Sequence, residues 1–179
     1  MADELIDIFD EENKFTGVKK MKSEAHKDGS WHRVIRVWIY NSKGEVLIQL
    51  RAKDKLLYPN LWDISAAGHI GVGEEPITSC LREIKEEIGL DVKLEDLEFH
   101  DIQPARILTS AMVNNELAYA YFLKFDGDIK QLKLQEEEVQ EIKFISVDKL
   151  EEGLNMTPEI YCPHGDYWFD MLSEVRKKL

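Results

Sequence analysis

The sequence predicts an α+β chain or a mixed-sheet α/β sandwich, extended at its N-terminus by a β-hairpin. Two patterns carry that expectation. Apolar, β-branched and aromatic runs of strand length recur along the chain between turn-forming residues, and one stretch from Pro76 switches to helical periodicity. A third observation bounds it: 179 residues, 44% hydrophobic, with four Trp, seven Phe and six Tyr, suit one globular domain over residues 1–179.

The elements follow in order. ELIDIF and KFTGVKKMK flank the turn-like DEEN and read as a hairpin within an N-terminal extension, residues 1–30. RVIRVWIY and EVLIQLRA surround Asn41-Ser42-Lys43-Gly44, a strong turn signal, and form a second hairpin. LWDISAAGHI reads as one further strand. Ile77, Leu81, Ile84 and Ile88 then recur at spacings of four, three and four, the apolar stripe of a helix packed on a sheet. Pro76 suits its first turn and Gly89 the position past its end. LEFHDIQPARIL, ELAYAYFLKF and EVQEIKFISV supply three more strands. Val147 to Gly153 reads as a short helix. The C-terminal segment, residues 154–179, ends in a helix from Tyr167 to Leu179, with Trp168, Leu172 and Val175 at helical spacing.

Composition excludes several functions. The net charge of -12 argues against wrapping a nucleic-acid backbone or lying on an anionic membrane, but not against phosphorylated small molecules bridged by a metal ion. No apolar run approaches the roughly 20 residues of a membrane helix, and acidic MADELIDIFDEEN lacks the basic start of a signal peptide, so a soluble cytoplasmic protein is expected. Cys80 and Cys162, without CxxC spacing, read as packing residues.

The stretch GHIGVGEEPITSCLREIKEEIGL, Gly68 to Leu90, poses a physical problem. Glu83 and Glu87 lie one turn apart on one helix face with Glu86 beside them, pointing away from the apolar stripe, and Glu74 is near. Such neighbours repel, and a hard divalent cation reverses the sign of that interaction. Clustered carboxylate oxygens are what Mg²⁺ or Mn²⁺ accept, with positions left for phosphate and water. Arg82 suits a two-pronged contact with one carboxylate. Gly68, Gly71 and Gly73 allow sharp turning and close approach to a ligand or metal.

Gly68, five residues, Glu74, seven residues, Arg82-Glu83, Ile84, one residue, Glu86-Glu87, one residue, Gly89 and Leu90 together resemble the Nudix box, residues 68–90. The resemblance implies the Nudix α/β/α sandwich and Mg²⁺-assisted water attack on a nucleoside diphosphate derivative or related organic diphosphate. It implies Glu83, Glu86 and Glu87 as metal ligands, Gly68 offering its carbonyl, Arg82 orienting a glutamate, and Glu74 assisting through water or a second metal. In many members the base is a glutamate outside the box. Here Glu136-Glu137-Glu138 is the candidate region, with Glu141 another; the alternative is a solvated turn.

The segment from His32 through LRAKDKLLYPNLWDISAAGHI also resembles isopentenyl diphosphate isomerases, a branch of the same superfamily. Their motif carries a proton-transferring Cys, a position occupied here by Ala67, whose methyl transfers no proton. His69, His32 and His26 fall where those enzymes have metal-binding histidines; imidazoles with a carboxylate would suit Mn²⁺ or Zn²⁺. His100 and His164 read as incidental. Arg51, Lys53 and Lys55 are the cations near phosphate in that layout, or a solvated loop. Trp62, Tyr58, Phe122 and Trp168 either stack on a base or belong to the core, and NMTPEIYCPHGDYW is a lid or a packed connector.

The leading expectation is a Mg²⁺-dependent diphosphate hydrolase, monomeric or homodimeric, acting on a small molecule. Its rivals are a non-catalytic nucleotide-sensing module, disfavoured by the complete set of box carboxylates, and an isomerase, disfavoured by Ala67.

Overall fold

A computed structural model describes residues 3–109 and 112–179. β1 (Leu5–Phe9) and β2 (Phe15–Met21) form the N-terminal hairpin, followed by α1 (Lys22–Asp28), β3 (Trp31–Tyr40), β4 (Glu45–Arg51), β5 (Trp62–Asp63) and β6 (Ala66–His69). α2 (Pro76–Ile88) leads to β7 (Leu97–Leu108), β8 (Val113–Lys124), β9 (Val139–Ser146), α3 (Val147–Met156) and α4 (Asp166–Lys177).

β3 is the axis of a mixed sheet. One edge pairs in parallel with β8 from His32 opposite Glu116 to Tyr40 opposite Lys124; the other meets β1 and then β6 in antiparallel register. β7 extends the sheet beyond β8, and β9 pairs with β4. Side chains alternate across the pleat, so β3 serves two cores. Ile35, Val37 and Ile39 pack with Cys80, Ile84 and Ile88 of α2, whereas Trp38 joins Leu150 of α3 and Trp168, Met171 and Leu172 of α4. Helices therefore cover both faces, which is the α/β/α sandwich expected.

Sequence and structure differ in four places. α1 has no apolar stripe to announce it; it is a seven-residue polar helix stopped by Gly29 at φ +74°. LWDISAAGHI is two strands, not one. β3 and β4 diverge after one pair, Tyr40 opposite Val46, and Ser65 sits between them, its Oγ accepting from Ile39 N at 2.8 Å and donating to Leu47 O at 2.6 Å. A hydroxyl substitutes there for a strand pair. Ser65→Ala is expected to leave the Ile39 amide unpaired in the core and to destabilise by about 1–3 kcal/mol, read as a fall of roughly 3–10 °C in thermal midpoint. α3 runs to Met156, past Gly153, and α4 begins at Asp166.

Trp168 and Phe122 are core residues, 2% and 1% exposed, so neither offers a face to a base. The stretch from Asn155 to Trp168 is packed in its second half: residues 155–160 are exposed, whereas Tyr161 and Cys162 are buried, Cys162 N donates to Trp62 O at 2.8 Å, and Trp168 Nε1 donates to Cys162 O at 2.8 Å. Cys80 and Cys162 are both free and buried. Among the described residues no helix is long and apolar enough to cross a membrane.

Candidate functional site: a carboxylate cluster and a histidine cluster astride β6

The four residues of β6 separate two groups of polar side chains. Ala66 and Ile70 face the α2 core and Ala67 the α3/α4 core, so Gly68 is turned towards α2. An atom in the Cβ position of Gly68 would lie 2.1 Å from Cδ of Glu83. The Glu83 carboxylate thus occupies the space that glycine leaves against the strand backbone. Gly73, at φ +72°, uses glycine's conformational freedom instead, at the turn into α2.

Along α2 the three glutamates are unequal. Glu86 is half-exposed, Glu83 is largely covered, and Glu87 is 5% exposed. The expectation that all three point away from the apolar stripe fails for Glu87, because helix and sheet cross closely enough to enclose it. Its Oε2 accepts from Gln49 Nε2 and Ala67 N, both at 3.3 Å. Burial, reinforced by the Glu83 charge, raises its carboxyl to about 8. Burial likewise raises Glu83 to about 7, against the pull of Arg82. Two adjacent carboxylates reluctant to ionise form a donor set that a hard cation completes.

Arg82 spans the cluster. Nη1 donates to Glu83 Oε1 at 2.7 Å and to Glu86 Oε2 at 3.3 Å, while Nη2 donates to the His69 carbonyl at 3.1 Å. Glu74 accepts from Arg82 Nε at 3.2 Å and Nη2 at 2.9 Å, from Ser79 Oγ at 2.7 Å and from Gly71 N at 3.1 Å. Those contacts, the Arg82 hydrogen bonds foremost, hold its carboxyl at about 2. Glu74 is committed to holding Arg82.

Glu138 belongs to the same constellation. Its carboxylate is ion-paired with Lys55, both side chains are largely covered, and both act electrostatically on Glu87. Backbone contacts fix this approach, with Gln135 N donating to Glu87 O at 3.0 Å and Ala52 N to Glu138 O at 2.9 Å. Glu136 and Glu137 instead line an open groove of about 500 Å³ with Lys85, Glu86 and Lys133. Glu141 is exposed opposite Leu50. Arg51 is committed elsewhere: Nη1 donates to Asp63 Oδ2 at 2.9 Å, and Nε and Nη2 to Leu57 O at 3.1 and 3.0 Å. Trp62 is half-buried under the Lys143 ammonium, 3.7 Å from its ring centre.

On the other side of β6, His26, His32 and His69 converge. Their ring centres lie 5.1–5.3 Å apart, and His69 Nε2 is 3.3 Å from His26 Nε2. His32 Nδ1 meets Ser30 O at 3.0 Å, while its Nε2 is buried without a hydrogen-bond partner. Burial is the first cause that lowers all three imidazoles, His26 to about 4, so they are neutral and able to ligate at pH 7. The register of β3 with β8 sets Glu116 beside His32, where its charge opposes that lowering. Glu116, which sequence reasoning missed, also accepts from Arg36 Nη2 at 3.0 Å and Asn114 Nδ2 at 2.7 Å. An orphaned imidazole nitrogen among three neutral histidines and a carboxylate fits a transition metal.

The fold and the carboxylate cluster define a family. The NUDIX domain model matches residues 30–162, and the chain belongs to that family. It is an enzyme of the Nudix hydrolase class, which acts on pyrophosphate bonds and uses divalent cations such as Mg²⁺. Among its relatives, Nudix hydrolase 3 of Arabidopsis thaliana is 33% identical over 97% of this chain but 24% of its own length, so this chain spans about a quarter of that protein. The isopentenyl-diphosphate Delta-isomerase of Pectobacterium atrosepticum is 32% identical, over 93% of this chain and 94% of that protein. The crystal structure of DR0079 from Deinococcus radiodurans shares the fold, with TM-score 0.69, 19% identity and coverage of 97% and 98%.

Proposed function

We propose that this chain is a Mg²⁺-dependent hydrolase of a nucleoside diphosphate derivative or a related organic diphosphate. The observation that carries the reading is the grouping of Glu83, Glu86 and Glu87 along α2 beside β6, with Glu83 against Gly68, Glu87 accepting from Ala67 N, and Arg82 bonded to Glu83 and Glu86. Glu83, Glu86, Glu87 and the Gly68 carbonyl would hold the cation, and Glu74 fixes Arg82, which positions Glu83. When bound, Mg²⁺ supplies an acidified water and a sink for phosphate charge. Glu138 would take the proton of the attacking water, and Lys55, its present partner, would pair instead with a substrate phosphate. Arg51 supports this from behind, by fixing the Leu57 carbonyl of the loop that carries Lys55. Trp62, under the Lys143 ammonium, would offer its ring to the substrate.

A second reading rests on the histidine cluster. His26, His32, His69 and Glu116 resemble a Mn²⁺ or Zn²⁺ site, and an isomerase relative is as similar as the hydrolase relative. Ala67 stands against isomerisation, since no proton donor or acceptor occupies that position. The complete box argues against a purely sensing role.

The test is release of phosphate or nucleoside monophosphate from nucleotides, nucleotide sugars, dinucleotides and isoprenoid diphosphates, with Mg²⁺ or Mn²⁺. Metal-dependent turnover is expected, falling by about 10²-fold or more in Glu86→Gln. Binding without turnover would favour the sensor. Interconversion of isopentenyl and dimethylallyl diphosphates without hydrolysis would favour the isomerase.

A further inference from the structure

The packed connector before α4 carries a second convergence of ligating groups, independent of the box. Asp63 ends β5, and Cys162 and His164 lie one residue apart on the connector, about a hundred positions later. One ligand atom from each, the thiol sulfur, an imidazole nitrogen and a carboxylate oxygen, falls within 4.8 Å of the others. The Asp63 and Cys162 side chains are buried and that of His164 is 14% exposed. His164 Nε2 is 2.7 Å from Asp63 Oδ1, and the Cys162 sulfur lies within 4.8 Å of a ligating atom of each.

Two features of this knot suit a metal. Thiolate, imidazole and carboxylate together are the donor set of a borderline-soft divalent ion, with Zn–S of about 2.3 Å and Zn–N of about 2.0 Å. Ligand atoms around such an ion sit roughly 3–4 Å apart, so atoms already within 4.8 Å of one another need side-chain adjustment and no backbone rearrangement to reach it. The second feature is support. Arg51 Nη1 donates to Asp63 Oδ2 at 2.9 Å, leaving Oδ1 as the ligating oxygen, and Ile64 N fixes that oxygen at 2.8 Å. The Trp168 indole donates to the Cys162 carbonyl at 2.8 Å, and His164 packs against Tyr167 and Trp168 with ring centres 5.9 and 5.6 Å apart. Groups that hold ligands from outside characterise built sites more than incidental contacts.

We propose that Asp63, Cys162 and His164 form a Zn²⁺ site that staples the connector ahead of α4 to β5. The exchange balances: binding releases the thiol proton, together with the second imidazole proton where His164 is charged, and water takes the fourth coordination position. When two protons leave, one from the Cys162 thiol and one from the His164 ring, the net charge of the cluster is unchanged, which lets the Arg51–Asp63 ion pair persist beside the metal. Arg51 and His164 use different oxygens of Asp63, and the site shares no residue with the carboxylate or histidine clusters, so its failure would leave the proposed hydrolase untouched.

Cobalt separates this site from the others. The full chain is stripped of metal, titrated with Co²⁺ and followed in the near ultraviolet, where only a sulfur ligand gives an intense charge-transfer band. The histidine and carboxylate clusters contain no sulfur and contribute none. The expected result is a band saturating at one Co²⁺ per chain, retained in Cys80→Ala, abolished in Cys162→Ser, and reversed by Zn²⁺. His164→Gln keeps the thiol and is expected to weaken the Co²⁺ affinity read from that band by about tenfold or more, which maintains the test if Cys162→Ser does not fold. No band in the folded wild-type chain, or a band unaffected by His164→Gln, would overturn the proposal and leave the knot a hydrogen-bond network.

Discussion

Glu87→Gln is expected to abolish turnover and to stabilise the metal-free protein at alkaline pH. Both results come from one geometry. Glu87 is enclosed between α2 and the sheet, and burial first, then the Glu83 charge, raises its carboxyl to about 8. A carboxyl whose folded value lies above the unfolded one contributes stability fully below about pH 4.5, and that contribution disappears as pH rises through about 8. Glu83, raised to about 7, behaves in the same direction. Glutamine presents the neutral form at every pH and retains an oxygen for the Ala67 and Gln49 donors. In EDTA at about pH 8.5 the variant is therefore expected to exceed wild type by about 2 kcal/mol, or roughly 4–8 °C. The difference shrinks as pH falls and vanishes only below about pH 4.5. The histidine cluster, lowered by burial, acts with the opposite sign and destabilises as pH falls below about 6.5, but it is common to both proteins and cancels. Mg²⁺ is expected to raise the wild-type midpoint at pH 8.5 much more than that of the variant, whose kcat falls by about 10³-fold or more. Equal midpoints in EDTA across pH would refute the burial argument. Undiminished activity would refute the metal assignment.

That buried glutamate marks the limit of what the sequence discloses. The stripe Ile77, Leu81, Ile84, Ile88 and the stops at Pro76 and Gly89 are local signals, and the helix follows them to the residue. The turn at Asn41 to Gly44 is likewise local, and the hairpin it joins forms. What periodicity on one helix does not encode is how deeply the partner sheet overlaps its polar flank, which separates half-exposed Glu86 from enclosed Glu87. The same holds across chain distance. Glu116 reaches His32 because β8 runs parallel to β3, a pairing across more than eighty residues that neither strand announces. His164 looked incidental in a loop, yet Asp63 lies 2.7 Å from it. Ser65 read as one more residue of a continuous strand, whereas its hydroxyl bridges two strands that the hairpin splays apart. The box spacing made the carboxylate cluster legible because four of its residues sit on one rigid helix; the supporting groups come from other elements and needed the fold to place them.

Gly68→Ala separates a glycine required by the site from one required by the backbone. Gly68 is absent from the positive-φ glycines, so alanine meets no backbone strain there, unlike substitutions at Gly73 or Gly89. The obstruction is the side chain of Glu83, with Cγ, Cδ and Oε1 at 2.5, 2.1 and 2.3 Å from the added methyl. Those atoms are the mobile end of a flexible chain, and Glu83 can swing out towards Arg82 and solvent. The fold therefore loses little, and a thermal midpoint within about 3 °C of wild type is expected. The cluster loses its geometry, because Glu83 can no longer lie against the β6 backbone beside the Gly68 carbonyl. With one ligand displaced, Mg²⁺ affinity is expected to fall by about tenfold or more, and kcat/KM by about 10²-fold, since misplacing a catalytic group by an ångström is enough for that. Raising Mg²⁺ is expected to restore part of the activity, whereas in Glu83→Ala, which removes the ligand outright, it is not. A variant that melts far below wild type would make Gly68 a packing residue. One that keeps full activity at low Mg²⁺ would show that the contact of Glu83 with the strand has no part in holding the metal.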